Sequence, residues 1–193
     1  MEAKMLKLIL YMIMLPTIAL SQEKIGDNGL YEQDWFHQSF LEFNDDAIEA
    51  SESGKYLMVL IEQAGCAYCR ELHRVNFQNK KILKNLRDNF LIVQLDLWGS
   101  REVVGLDGMS YEERNWVIKN DIFFTPTTLI YEVRPNREVK EIFRMPGYLK
   151  PFHYMSSLEY IVTQQYLEKN FQHYLQEKFD AMRARGETID VWQ

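Results

Sequence analysis

Cysteine is scarce in this 193-residue chain, which contains only two, Cys66 and Cys69. Clusters of basic residues are missing as well, and 22 lysines and arginines against 28 acidic residues leave a formal net charge of −6. Binding to the phosphates of nucleic acid requires clustered positive charge, so no nucleic acid partner is predicted. With 47% hydrophobic and 26% charged residues, the composition is that of a globular protein rather than a disordered one.

Long apolar runs are also missing. The N-terminal apolar stretch over residues 8–20 is shorter than the roughly 20 residues that a membrane-spanning helix needs. It follows two lysines and ends with small residues at Ala19 and Ser21, which is typical of a secretory signal peptide. We therefore predict a signal peptide over residues 1–21, cleaved near Ser21, and an exported protein. An uncleaved membrane anchor is the alternative.

The two cysteines are separated by Ala67 and Tyr68 and follow an apolar run over residues 56–61. Unpaired N–H groups at a helix N-terminus favour a thiolate, so Cys66 is predicted to be an exposed nucleophile and Cys69 the deeper resolving thiol. The alternative is a structural staple, but so small a ring constrains the unfolded chain little. A redox-active disulfide, with no further cofactor, is therefore the favoured interpretation.

The rest of the chain alternates helical and strand patterns. Apolar spacing predicts a helix over residues 34–54, and a Ser-x-x-Glu capping box at Ser110 predicts another over 111–119. The glycine-rich residues 98–109 are expected to form an irregular insertion. Further helices are predicted over 66–77, 79–89, 151–161 and 167–182, and strands over 56–61, 91–97, 127–133 and 138–144. This order predicts an α/β fold with a central mixed sheet flanked by helices.

An apolar strand that leads into Cys-x-x-Cys, with Thr125-Pro126 directly before a later strand, resembles the thioredoxin fold. The resemblance implies a cis peptide bond before Pro126, beside the dithiol, and protein disulfides as substrates. Thr125, Pro126 and Tyr68 would then form a substrate groove, with an extended partner peptide paired to the backbone of Thr125. The chain would divide into a loose leader, a thioredoxin-like domain and a C-terminal helical extension, over residues 22–33, 34–165 and 166–193.

Three segments carry a narrower resemblance, residues 65–73, 93–99 and 145–153. They are similar to the periplasmic SoxW-type thioredoxins that accompany bacterial sulfur oxidation. This similarity implies a periplasmic reductase of protein disulfides that receives its electrons from a membrane thiol transporter. The alternative from a different class is a non-enzymatic module that uses the same dithiol to bind a metal or a cytochrome-maturation client.

The proton acceptor departs from the common thioredoxin pattern. Many cytoplasmic thioredoxins carry a buried Asp at the position that Leu60 occupies here. Glu62 is the nearest acid and the candidate proton acceptor, with a surface position as the alternative. His73 shares a helical face with Cys66 and Cys69, but these three ligands do not complete a zinc site. His73 is therefore predicted to be a surface histidine, and no metal site is predicted.

Overall fold

The computed structural model describes residues 24–192. The predicted signal peptide lies outside these residues, so cleavage near Ser21 stays a prediction. Within residues 24–192, no helix combines the length and the apolar composition that crossing a bilayer requires.

The secondary structure follows the order expected for an α/β protein. The strands are β1 Tyr56–Glu62, β2 Phe90–Asp96, β3 Glu102–Val104, β4 Ser110–Glu112, β5 Thr127–Val133 and β6 Val139–Pro146. The α-helices are α1 Phe43–Glu52, α2 Ala67–Glu71, α3 Lys80–Asn89, α4 Glu113–Lys119, α5 Pro151–Val162 and α6 Phe171–Ala184. A π-helical turn, Leu72–Asn76, continues α2 without a break, and a 3₁₀ turn, Gln165–Leu167, follows α5.

A four-stranded mixed sheet forms the centre of the fold, in the order β2, β1, β5, β6. Strand β1 runs parallel to β2 and antiparallel to β5, and β5 runs antiparallel to β6. Strand β1 is buried almost throughout, because it is central and both faces of the sheet are covered. The predicted α/β fold with a mixed sheet flanked by helices is confirmed.

The side chains of β1 alternate between two hydrophobic cores. Val59 and Ile61 contribute to the core that α1 and α4 cover, whereas Met58 and Leu60 contribute to the core of α3 and α5. Side chains repeat every two residues along a strand, so Glu62 points to the same face as Leu60. The acid at the end of β1 is thereby directed beneath the helix that carries the cysteines.

The helix predicted from residue 34 is wrong at its start, because α1 begins only at Phe43. The preceding residues follow the edge of β2 instead, and the His37 N–H donates to the Ile92 carbonyl at 2.8 Å. Leu41 adopts a positive φ of 63°, which interrupts any helix there. The tertiary contact with the sheet edge outweighs the helical spacing of the aromatic residues in this segment.

The leader predicted to be loose is ordered over residues 24–33. Leu30 is buried, and Ile25 and Tyr31 form a β-bridge. The Gln94 side chain donates to the Tyr31 carbonyl at 2.7 Å. The segment packs because it covers the otherwise open edge of β2.

The region between β2 and α4 also differs from its prediction. Residues 98–109 contain β3, which pairs antiparallel with β4, so the insertion is partly a hairpin. The capping-box prediction at Ser110 is wrong, since Ser110 belongs to β4 and α4 begins at Glu113 without a side-chain cap. The Glu113 side chain turns inward instead and accepts hydrogen bonds from the backbone N–H groups of Asp96 and Arg101.

The predicted C-terminal helical extension is present as α6, which packs against α5. The rings of Phe152 and Phe179 lie 5.2 Å apart between their centroids. Lys178 Nζ donates to Ser156 Oγ at 2.9 Å and forms an ion pair with Glu159. Apolar and polar contacts thus dock α6 on the domain.

Candidate functional site

Cys66 and Cys69 lie at the junction of β1 and α2 and are joined by a disulfide bond. Cys66 is the N-cap of α2, and its Sγ accepts a hydrogen bond from the Cys69 N–H at 3.0 Å. Cys69 is fully buried and Cys66 is only 7% exposed, so the expectation of an exposed Cys66 is wrong. The Cys66 sulfur is covered because the segment at Thr125 lies against it.

Thr125 and Pro126 form the wall beside the disulfide. The peptide bond between them is cis, as expected from the resemblance. The Thr125 hydroxyl donates to Cys66 Sγ at 3.4 Å, and the Thr125 carbonyl oxygen lies 3.6 Å from the same sulfur. Together with the Cys69 N–H, the hydroxyl gives this sulfur two donors, which would stabilise a thiolate once the disulfide opens.

Exposed aromatic residues adjoin both the Cys-x-x-Cys motif and Thr125-Pro126 in the chain. Tyr68 lies between the two cysteines and stacks on Tyr148, with ring centroids 6.2 Å apart and an interplanar angle of 13°. Phe123 and Phe124 directly precede Thr125, and each is 66% exposed. Only Tyr68 is among the residues predicted from the sequence. The Phe-Phe pair beside Thr-Pro is the signal that could have identified the rest.

Glu62 is buried at the end of β1, which excludes the surface position considered for it. Its Oε2 accepts two hydrogen bonds, from Gln94 Nε2 at 2.6 Å and from His73 Nε2 at 3.0 Å. Its Oε1 has no hydrogen-bond partner among residues 24–192. One carboxylate oxygen is therefore saturated, while the other is an unused acceptor inside the protein.

His73 is also buried, so its prediction as a surface histidine is wrong. Its ring lies 4.9 Å from the Phe77 ring and 5.6 Å from the Tyr31 ring, measured between centroids. The ordered N-terminal segment supplies this cover and also brings Gln33 Nε2 to 3.0 Å from His73 Nδ1. No local sequence pattern reports the contact, because Gln33 and His73 are far apart along the chain.

Tyr154 of helix α5 also lies near Glu62. Burial raises the pKa of Tyr154, and the nearby charge of Glu62 raises it further. The Tyr154 hydroxyl therefore stays protonated at neutral pH. It contributes a polar group to the interior without adding a second charge.

Metal ligands do not cluster around the disulfide. Within residues 24–192, no group of three or more His, Cys, Asp or Glu side chains is arranged to hold a metal ion. Both ring nitrogens of His73 are engaged, by Gln33 and by Glu62. The imidazole is therefore part of a hydrogen-bond network.

A family model described as a thioredoxin-like domain matches residues 43–161. The chain belongs to this family. A thioredoxin-like domain with a Cys-x-x-Cys disulfide beside a cis-proline is a thiol–disulfide oxidoreductase, and this is the class to which the chain belongs.

Solved structures with the same fold are distant in sequence. A thioredoxin-fold protein from Helicobacter pylori is similar with a TM-score of 0.53 and 18% identity, over 75% of this chain and 94% of that one. A thioredoxin from Thermus thermophilus is similar with a TM-score of 0.51 and 14% identity, over 63% of this chain and 84% of that one. No significant match was found to a curated protein sequence.

Proposed function

We propose that this protein is an exported reductase of protein disulfides, of the periplasmic SoxW type that accompanies sulfur oxidation. The observation that supports it is the Cys66–Cys69 disulfide against the cis-Pro126 wall, with two hydrogen-bond donors on the Cys66 sulfur. The attacking sulfur of a reductase must leave and return as a thiolate, and donors aimed at it favour that state.

The reaction begins from the reduced dithiol. The Cys66 thiolate attacks one sulfur of a partner disulfide, and the other partner sulfur leaves as a thiolate that takes a proton from solvent. Cys69 then gives its proton to Glu62 and attacks Cys66 Sγ, which closes the disulfide and releases the second partner sulfur as a thiolate. This thiolate takes a proton from solvent, and Glu62 returns its proton to solvent. Two electrons pass to the partner, and a membrane thiol transporter returns them by exchange with the Cys66–Cys69 disulfide.

The partner would bind as an extended peptide across the disulfide. Thr125 offers backbone groups next to the Cys66 sulfur, and an unpaired strand segment of a partner binds such groups through main-chain hydrogen bonds. Tyr68, between the two cysteines in the chain, and Phe124, directly before Thr125, expose ring surface for apolar partner side chains. Unfolded or locally extended disulfide segments fit this surface better than rigid, buried disulfides.

Insulin reduction by the reduced protein tests the reaction. Cys66→Ser should abolish turnover, because the remaining thiol, Cys69, is fully buried and cannot reach a partner disulfide. Cys69→Ser should also lose turnover but retain the first step, and it should accumulate a mixed disulfide with the substrate that mass spectrometry detects. Full insulin reduction by Cys66→Ser would overturn the proposal.

Two further measurements distinguish a reductase from a metal-binding module and from an enzyme that inserts disulfides. A metal-binding module predicts stoichiometric metal that survives dialysis of the reduced protein and is lost on oxidation, whereas a reductase does not. A reduction potential near that of the reducing thioredoxins, about −270 mV, would support reductase function, and a value of about −120 mV would favour disulfide insertion.

Export is tested by sequencing the N-terminus of the secreted protein, which we expect at Gln22.

A further inference from the structure

The atom types determine which group donates and which accepts in each hydrogen bond around His73. The Trp35 indole N–H can only donate, and it lies 3.2 Å from Gln33 Oε1. The Gln33 amide must therefore turn its Nε2 toward His73, where it lies 3.0 Å from Nδ1. An amide Nε2 can only donate, so His73 Nδ1 is the acceptor.

This direction fixes the protonation of the imidazole. With Nδ1 accepting, the single ring proton of a neutral His73 is on Nε2, which donates to Glu62 Oε2. Gln94 Nε2 donates to the same oxygen and also to the Tyr31 carbonyl, so its orientation is fixed as well. The His73 Nε2–H and the Gln94 amide thus both point toward one oxygen of Glu62.

We propose that Trp35 and Gln33 are positioning residues that hold His73 in its Nε2–H form, so that it donates to Glu62 Oε2 and leaves Oε1 as the oxygen that accepts a proton. The inference rests on the proposed role of Glu62 as proton acceptor. Glu62 Oε2 is saturated by two donors, and Oε1 is buried without a partner among the described residues, so Oε1 receives the proton. His73 donates a hydrogen bond to the carboxylate and does not itself carry the proton away.

The groups that face the network leave this assignment intact. Tyr154 of α5 faces it with a raised pKa and stays neutral, and the Tyr31 ring packs on the imidazole. Asp96 is the register partner of Glu62 on β2, and its Oδ1 accepts from the Trp98 N–H. Gln33 and Gln94 also line a cavity of about 420 Å³ whose charged residues are Lys24, Glu32, Asp34 and Arg101, with His37 beside them.

Trp35→Phe isolates the first donor of the network. Trp35 packs edge-on against Phe36 and Phe77, at 4.9 and 5.4 Å between centroids, and a phenyl ring preserves these contacts while it removes the N–H. Gln33 can then reverse its amide and His73 can change tautomer. Loss of the Nε2–H donor removes one of the two hydrogen bonds to the Glu62 carboxylate, so the acidic limb of the pH–rate profile should move to higher pH.

The resolving step is measured by stopped flow, as release of a chromophoric thiol from its mixed disulfide with Cys66. At a pH on the acidic limb, we expect Trp35→Phe to slow this step about tenfold, which corresponds to a displacement of about one pH unit. Nitrogen NMR of the imidazole should show the Nε2–H form alone in the native protein and a mixture of tautomers in Trp35→Phe.

Trp98→Phe is the matched control. The Trp98 indole N–H also donates to a glutamine Oε1, that of Gln63 at 2.8 Å, but this pair is outside the network of Glu62. The Trp98→Phe variant should leave the acidic limb of the pH–rate profile and the His73 nitrogen resonances unchanged. An Nδ1–H tautomer in the native protein, or an unmoved limb in Trp35→Phe, would overturn the inference.

Glu62→Gln separates this inference from the proposed function. If the variant loses the acidic limb while Trp35→Phe keeps it, the role of Trp35 fails and that of Glu62 stands. If Glu62→Gln retains the native rate and profile, the proton acceptor itself is wrong and the inference fails with it. Neither result touches the attack by Cys66, which the cysteine variants test by themselves.

Discussion

Two buried glutamates lie on either side of β2 in the chain, and their surroundings are opposite. Glu62 and Glu113 each expose no more than 1% of their surface. Glu113 accepts hydrogen bonds through both oxygens, and one of its donors is the Arg101 guanidinium at 2.6 Å. Glu62 uses only Oε2 and has no lysine or arginine ion-pair partner among the described residues. Burial alone therefore does not tell a structural acid from a reactive one.

The two carboxylates differ in whether one oxygen still lacks a hydrogen-bond partner among the described residues and can accept a proton. Glu113 ties the end of β2 to the start of β3, since it bonds the backbone N–H of Asp96 and of Arg101. Protonation there would break bonds that hold the chain. Protonation of Glu62 at Oε1 would break none of the described ones, because that oxygen has no partner there. A buried acid with a spare acceptor can take up a proton without local unfolding.

Glu62→Gln should have the largest effect, and the effect should be on activity. General-base catalysis contributes about 100-fold or more, so we expect the resolving step to slow by about that factor. The free energy of unfolding should change by less than about 1 kcal/mol, because no cation loses its partner. Stopped-flow resolution and urea unfolding measure the two quantities. A loss of stability as large as the one expected for Glu113 would remove the distinction between the two acids.

Glu113→Gln is the reciprocal change. The amide turns an N–H toward donors, and Arg101 loses its charged acceptor, so the free energy of unfolding should fall by about 2–3 kcal/mol. The rate of the resolving step in the folded protein should stay within about twofold, since Glu113 only fixes the chain after β2. Urea unfolding checks the first expectation and stopped flow the second. A large rate loss at native stability would mean that Glu113 also acts in the reaction.

Gly99→Ala should also destabilise the protein through Glu113, but by less than Glu113→Gln does. A Cβ at this glycine would lie 2.0 Å from Glu113 Oε2, so the carboxylate must shift. We expect a loss of about 1–2 kcal/mol, smaller than for Glu113→Gln because the charge pair survives in a displaced form. The double variant Gly99→Ala, Glu113→Gln should lose less than the sum of the two, since both act on one contact. Strict additivity in urea unfolding would contradict this coupling.

The catalytic sulfurs and their wall could be predicted from local signals. Cys-x-x-Cys after an apolar run placed the dithiol at the start of a helix, and the resemblance to the thioredoxin fold implied the cis peptide bond before Pro126. The alternation of β1 also held the information that Glu62 shares a face with Leu60. A period of two residues therefore indicated an inward acid, although its partners lay beyond the reach of any local pattern.

The errors have a common physical origin in the N-terminal segment. Apolar spacing predicted that residues 34–42 are the start of a longer helix over residues 34–54, and the residues before it were predicted to form a loose leader. Both segments instead cover the edge of β2. That packing buries His73, which was expected on the surface because helical spacing alone carries no information about a cover contributed from elsewhere in the chain.

The sequence by itself determined the reaction class, because two thiols at this spacing and a Thr-Pro before a strand are local features with local chemistry. Only the tertiary structure decided how Glu62, the proposed proton acceptor, is held. Trp35, Gln33 and His73 come together with Glu62 through contacts that span up to 40 residues. The direction of each hydrogen bond in such a network depends on which donor lies next to which acceptor in the folded protein. The order of the residues along the chain does not specify these neighbours.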